Sequence, residues 1–364
     1  MRISINQKMV ADIDALTRRH AIATSTKGEL KQLSTLFGPT YLKALRHLLQ
    51  RSFVQTRGAR YDVTIRLAWI DKIPLADIAS EPERTELGDA VLFAFDELVL
   101  PNGKGPGITR ARATLLQAKV TQTLNQITKP TVPISPMKGS TKKEFDLLSK
   151  WPRFDLFKAS NSDVALAQDV DLRGKKAGTL PFGWYVAAPR LKSSAKKADT
   201  SHWKSWWMAG PPILGQACDV TFGGLLQAFF AETPLPHAGN LEVGATFCCK
   251  SYPPAPDLLE DWDRVCAEII ALVESSKAPQ SLFGNDPPSR MSAMESIGFP
   301  AQSGALSNGI SSSLAFSIGP KAHPAQIPRR ESRGRQFLRR ILNILVRRRR
   351  IPVVIVHTKL IEGF

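Results

Sequence analysis

The sequence predicts an α/β (α+β) protein in which a mixed sheet is flanked by helices. Two short apolar runs, 91–95 and 115–120, predict neighbouring strands, because a turn signal rich in Gly and Pro lies between them at 101–107. Apolar residues at helical spacing precede these strands over 29–53, and an amphipathic pattern over 257–274 predicts another well-defined helix. The 364 residues are enough for a sizeable core, in two domains or in one large domain with insertions.

Further elements follow from the same patterns in chain order. We expect a helix over 7–19, a strand over 61–70, a helix over 141–150, a strand over 183–188 and a helix over 220–231. Gly38-Pro39 should break or kink the helical stretch 29–53, because proline lacks the N–H that continues a helix. Ser140 or Thr141 followed by Glu144 fits a capping box at the start of the 141–150 helix.

Composition divides the chain into four parts. These are a core over 1–175, a second α/β part packed on or extending it over 176–275, a flexible linker rich in Ser, Pro and Gly over 276–328, and a basic amphipathic helix with a terminal strand over 329–364. Pro352 lies in that last strand, which places the strand at a sheet edge.

The charge is strongly positive, with 49 Lys and Arg against 32 Asp and Glu and a net charge of +17. Such a field favours a polyanionic partner, either nucleic acid or an anionic membrane surface. The candidate phosphate contacts are Lys192, Lys196 and Lys197 in a basic loop and Arg339, Arg340, Arg347 and Arg348 in the basic helix. The tryptophans that follow the basic loop, Trp203, Trp206 and Trp207, fit either a nucleic-acid groove or the edge of a core.

Neither a membrane span nor a secreted protein is expected. The chain contains no run of 18 or more apolar residues, and its N-terminus lacks the apolar region of a signal peptide. The 4 cysteines lack the paired spacing of a zinc site, and so few cysteines fit a reducing compartment. We therefore expect a cytoplasmic protein.

Three polar residues interrupt the predicted strands. Asp89 begins the first apolar run, and Gln117 and Lys119 lie two residues apart in the second, so their side chains share one face of that strand. A carboxylate and an amide oxygen are hard ligands of the kind that Mg²⁺ prefers. A lysine beside them can orient water or neutralise charge that develops on a phosphate.

Gly88-Asp89 followed by Leu116-Gln117-Ala118-Lys119 resembles the PD-(D/E)xK nuclease superfamily, in its Mrr-type branch with Gln in place of the usual acidic residue. The resemblance covers roughly residues 27–125, and the chain departs from the motif in having Gly88 where proline is usual. It implies a restriction-endonuclease-like core and Mg²⁺- or Mn²⁺-dependent hydrolysis of phosphodiester bonds. The nucleic acid would be DNA in preference to RNA, in restriction or bacterial defence.

The same resemblance implies a role for each site residue. Asp89 would bind the metal, with the side-chain oxygen of Gln117 and the backbone carbonyl of Ala118, and Lys119 would orient water or stabilise the transition state. A helix before the core strands often carries a further acidic ligand in this superfamily, and the acidic residue on the 29–53 helix is Glu29. Glu29 in a first turn also fits a helix-dipole partner.

A non-catalytic interpretation stays open. Asp89 can cap a turn, Gln117 can satisfy a buried backbone group, and Lys119 can extend from a strand end to water. The protein would then be a nucleic-acid-binding or membrane-associated protein that uses its Arg-rich segment. The two interpretations differ in geometry: a nuclease requires the three side chains to converge on one exposed pocket. A structural role lets them point apart, or places Lys119 against a neutral partner.

Overall fold

A computed structural model describes residues 3–52, 59–71, 74–100, 107–121, 130–134, 136–160, 162–174, 176–191, 201–248, 260–275, 294–297 and 350–362. These residues belong to one compact unit that spans 1–298 and 350–364. The predicted basic helix and most of the predicted linker lie outside the described residues, as do all seven candidate phosphate contacts of the sequence analysis.

Six α-helices, one short 3-10 helix (Pro236–Ala238) and thirteen strands are described. The helices are α1 (Gln7–Ile22), α2 (Glu29–Leu36), α3 (Pro39–Gln50), α4 (Ser140–Lys150), α5 (Phe222–Ala231) and α6 (Asp261–Ser275). The strands are β1 (Ala59–Asp71), β2 (Leu75–Asp77), β3 (Thr85–Glu86), β4 (Ala90–Val99), β5 (Gly107–Thr121), β6 (Phe154–Phe157), β7 (Ala165–Val170), β8 (Gly183–Pro189), β9 (Met208–Gly210), β10 (Val220–Thr221), β11 (Ala245–Thr246), β12 (Met294–Ile297) and β13 (Arg350–Glu362). The break at Gly38-Pro39 is confirmed, since α2 ends before it and α3 begins at Pro39.

The predicted mixed sheet flanked by helices is confirmed. The main sheet has the strand order β10-β9-β8-β5-β4-β13-β1-β12, with β11 also paired to β5. β4 and β5 form the predicted antiparallel hairpin, with Leu92 opposite Thr114. β8 runs parallel to β5 and begins opposite Leu115, so the chain crosses over between these strands through α4.

The terminal strand is central, and its predicted place at a sheet edge is wrong. β13 lies between β4, to which it is parallel, and β1, to which it is antiparallel. Pro352 is tolerated because pairing with β4 begins only at Val353, so the missing N–H removes no hydrogen bond to that strand. A second difference is β12, a short strand inside the predicted linker, which pairs with the outer side of β1.

Each face of the sheet carries its own core, because neighbouring residues of a strand point to opposite faces. On one face α1, α2, α3 and α5 cover side chains such as Leu92, Leu116 and Val186. On the other face α4, α6 and a four-stranded sheet, in the order β3-β2-β6-β7, cover Val91, Leu115 and their neighbours.

The capping box predicted for α4 is not formed. The helix begins at Ser140 with Gly139 as its N-cap, and no side chain caps it. Glu144 is therefore the fifth helical residue, too far along the helix to bond back to the cap, and its side chain packs inward. Among the described helices, none is long and apolar enough to cross a membrane.

Candidate functional site

Asp89 and Gln117 meet where β4 begins. The backbone N–H of Asp89 donates to the Leu116 carbonyl at 2.8 Å, which holds the aspartate against β5. Asp89 Oδ2 accepts hydrogen bonds from Gln117 Nε2 and, at 2.9 Å, from the backbone N–H of Ala118. Gly88 permits this approach, because a Cβ there would lie 3.3 Å from the Leu116 oxygen.

Lys119 lies two residues further along β5, on the same face as Gln117. Its Nζ is 2.7 Å from Glu144 Oε2, and the exposed fractions of the two side chains are 12% and 7%. Burial alone would lower the pKa of Lys119, but the carboxylates of Asp89, Glu29 and Glu144 outweigh burial and raise that pKa. The lysine is therefore a firmly charged ammonium surrounded by acidic groups.

Further carboxyl groups act on Asp89. Burial raises the pKa of Asp89 well above its ordinary value, and the charges of Glu29, Glu86 and Glu144 raise it further, while Lys119 opposes them. Three carboxyl groups thus act on Asp89, and the charge of Lys119 opposes them. A bound proton or cation stabilises such a cluster, because it reduces the repulsion between the carboxylates.

Gln32 fixes the start of α2, and the first residue of that helix, Glu29, acts electrostatically on Asp89 and Lys119. Gln32 is fully buried, and its Nε2 donates to the carbonyls of Lys27 at 3.1 Å and Pro189 at 3.2 Å. Its Oε1 accepts from Trp206 Nε1 at 3.2 Å. The helix start is thereby tied to the end of β8, beside the strand that carries Lys119.

Two buried oxygen atoms of the site have neither a hydrogen-bond partner nor an ion-pair partner within the described part of the chain. They are Gln117 Oε1 and the hydroxyl oxygen of Tyr185, and the two residues are register partners on β5 and β8. Burial raises the pKa of Tyr185, as do Glu144 and Asp89, so the hydroxyl stays protonated. An unpaired buried oxygen costs about 1–3 kcal/mol, which makes Gln117 Oε1 an available acceptor or ligand.

The candidate ligands are oxygens, the kind that Mg²⁺ and Mn²⁺ prefer. They are the carboxylates of Asp89 and Glu29, the amide oxygen of Gln117 and the backbone carbonyl of Ala118. Within the described residues no three His, Cys, Asp or Glu side chains are grouped to hold a metal. Any metal here would therefore depend on the amide and backbone oxygens as well as on the carboxylates. The Gln117 oxygen, which has no partner among the described residues, fits such a cation.

The structure brings Asp89, Gln117 and Lys119 together, but in a buried cluster. Asp89 is 7% exposed and Gln117 1% exposed, whereas Glu29 and Glu86 are half-buried. The geometry therefore matches neither expectation fully. The three side chains converge, yet not on an open pocket, and Lys119 faces an acidic partner instead of a neutral one.

Sequence reasoning missed two contributors and left one question open. The sequence predicts a helix-capping role for Glu144, and it places Tyr185 in a strand without indicating a role in the site. The sequence feature that could have identified Glu144 as part of the site is its position as an acidic residue on the helix that follows the Gln-x-Lys strand. Trp203, Trp206 and Trp207 are fully buried, so these three side chains belong to the core and do not line a nucleic-acid groove.

Comparisons of the chain with protein-family models, with curated proteins and with solved structures give no match.

Proposed function

We propose that this protein is a metal-dependent nuclease with a restriction-endonuclease-like core and that its reaction is hydrolysis of phosphodiester bonds, in DNA in preference to RNA. The observation that carries the proposal is the convergence of Asp89, Gln117 and Lys119 on one acidic cluster. Burial and neighbouring carboxyl groups raise the pKa of Asp89, and this supports a role for the cluster in binding a cation. Restriction or defence against foreign DNA in bacteria is the corresponding biological role, and it rests on the motif resemblance alone.

The residues present can hold Mg²⁺ or Mn²⁺. Asp89 and Glu29 would supply carboxylate oxygens, and Gln117 and the carbonyl of Ala118 would supply neutral ones. Gln117 would have to turn its amide, since its nitrogen now faces Asp89. A bound divalent cation lowers the pKa of water and neutralises charge on a phosphate.

Lys119 would act on the substrate side. Its ammonium is held at the end of β5 by Glu144, within the field of Asp89 and Glu29. From there it can orient a water molecule by hydrogen bonding and stabilise negative charge that develops on the phosphate. When a phosphate binds, the Lys119 ammonium must then either leave Glu144 or contact both groups.

A structural role is the second candidate, and the Lys119–Glu144 ion pair favours it. A buried pair of this kind commonly joins a helix to a sheet, and Asp89 already satisfies the Ala118 N–H. This interpretation predicts a stable cluster with no affinity for divalent ions.

We expect purified protein to nick or linearise supercoiled plasmid in Mg²⁺ or Mn²⁺ and to leave it intact in EDTA. The reason is that a divalent cation at Asp89 would lower the pKa of the attacking water and neutralise charge on the phosphate. Agarose gels that follow the loss of supercoiled plasmid measure this reaction.

The matched control is Asp263→Asn. Asp263 is also a buried aspartate whose pKa burial raises, and it accepts backbone N–H bonds from Cys248 at 2.8 Å and Glu260 at 3.2 Å. It lies on α6, outside the cluster, so its variant should cut normally while Asp89→Asn should not. Cutting that survives in EDTA, or that is equal in both variants, would refute the proposed function.

A further inference from the structure

The edge of the sheet beside the acidic cluster carries two exposed cations. Lys27 lies in the loop before α2, and Arg190 directly follows β8. We call this surface, residues 24–28 and 189–191, the basic edge. Among the described residues neither cation has an ion-pair partner, whereas Lys142, Lys143 and Lys150 on α4 are all paired.

The two halves of the basic edge are tied together by backbone groups. The N–H of Leu191 donates to the Ser25 carbonyl at 2.9 Å. Gln32 Nε2 bridges the same carbonyl, at 3.3 Å, to that of Pro189. Lys27 and Arg190 therefore extend from one fixed framework, and their side chains alone remain free to adapt.

The basic edge lies close to the cluster along the strands. Ala187 is opposite Lys119 and Pro189 is opposite Thr121 in the parallel pairing of β8 with β5. Arg190 thus lies three residues beyond the level of Lys119, about 10 Å along the strand direction. Glu29 follows Lys27 by two residues and acts electrostatically on both Asp89 and Lys119.

We infer that the basic edge is a contact surface for the sugar-phosphate backbone of a nucleic acid, through one phosphate at Lys27 and another at Arg190. Exposed cations without carboxylate partners retain their full charge for a polyanion, and they release its counterions when it binds. Contacts of this kind position the nucleic acid without reading its sequence. The inference rests on the proposed function for its place beside the cluster, and it adds the surface that would hold the substrate there.

The test compares wild-type protein with Lys27→Gln/Arg190→Gln and with the control Lys43→Gln/Lys158→Gln. Lys43 and Lys158 are also exposed, and the control removes the same charge. Lys43 lies on α3, which packs against β1, three strands from β5, and Lys158 follows β6 in the second sheet. The Arg-rich segment is present in all three proteins, so the differences report on the substituted positions.

Fluorescence anisotropy in EDTA measures binding of labelled duplex DNA, single-stranded DNA and single-stranded RNA from about 50 to 200 mM salt. We expect the basic-edge variant to bind its preferred nucleic acid roughly tenfold more weakly than the wild type. For duplex DNA its slope of log affinity against log salt should be shallower by about 1.8, since each phosphate contact contributes about 0.9. Of these three nucleic acids, the one that the wild type binds most tightly is its preferred partner.

Equal losses in the two double variants, or no binding of any of the three nucleic acids by the wild type, would overturn the inference. Metal-dependent cleavage together with unchanged binding by the basic-edge variant would overturn it while leaving the nuclease proposal intact. If binding depends on the basic edge but no cleavage occurs, the inference stands and the nuclease proposal is refuted.

Discussion

The Asp89→Asn variant is expected to lose cleavage by more than about a hundredfold, the upper range for loss of a group that merely supports a metal ligand. In EDTA at pH 8 it should nonetheless be at least as stable as the wild type. Asparagine keeps an oxygen for the Ala118 N–H and the Gln117 amide, yet it removes one charge from a buried acidic cluster. Loss of activity with unchanged or higher stability would mark the aspartate as functional.

The raised pKa of Asp89 also determines how the stability of the two proteins changes with pH. Because the folded-state pKa of Asp89 is raised, the folded protein binds this proton more tightly than the unfolded chain does. The contribution of Asp89 to stability is complete below its unfolded pKa of about 3.9 and is lost as pH rises through the folded value. The stability advantage of Asp89→Asn over the wild type should therefore grow from pH 4 to pH 8 in urea unfolding. An advantage that shrinks with pH would show that the carboxylate is stabilised when charged.

The Lys119→Met variant should show the largest loss of stability, about 3–5 kcal/mol in EDTA at neutral pH. Removing the ammonium leaves Asp89, Glu29 and Glu144 without their shared counter-charge. Glu144→Gln should cost only about 1 kcal/mol, because Lys119 then still faces Asp89 and Glu29. The midpoint and slope of urea unfolding measure both changes.

Lys143→Met is the matched control for the Lys119 variant. Lys143 is also a lysine beside a glutamate, 2.9 Å from Glu83, but that glutamate is largely exposed, and its loss should leave stability unchanged. If Lys119→Met is as stable as Lys143→Met, the carboxylates near Asp89 do not depend on Lys119. The electrostatic description of the cluster would then be wrong.

Local patterns were sufficient for the hairpin and for the polar residues on it. The Gly- and Pro-rich turn between two apolar runs predicts β4 and β5, and a spacing of two places Gln117 and Lys119 on one face. Asp89 then meets Gln117 because the hairpin register sets Ala90 opposite Leu116. Each of these relations acts within a few tens of residues.

Relations between distant segments were not predictable in the same way. β13 enters the sheet between β4 and β1, and no local pattern shows which strands a β-branched run will pair with. Pro352 favoured an edge, but the pairing partner on one side begins only after it. Glu144 has a local explanation as a capping residue, and its contact with Lys119 arises only when α4 packs on the sheet.

Calorimetric titration of the folded protein with Mn²⁺ tests the central claim, a metal site at Asp89, most directly. It requires neither substrate nor turnover. If Asp89 and its neighbours form a metal site, wild-type protein and Asp263→Asn bind Mn²⁺ with the same affinity. Asp89→Asn should then bind at least about tenfold more weakly. Equal affinity in all three proteins, or no binding by folded wild type, would contradict a metal centre at this cluster.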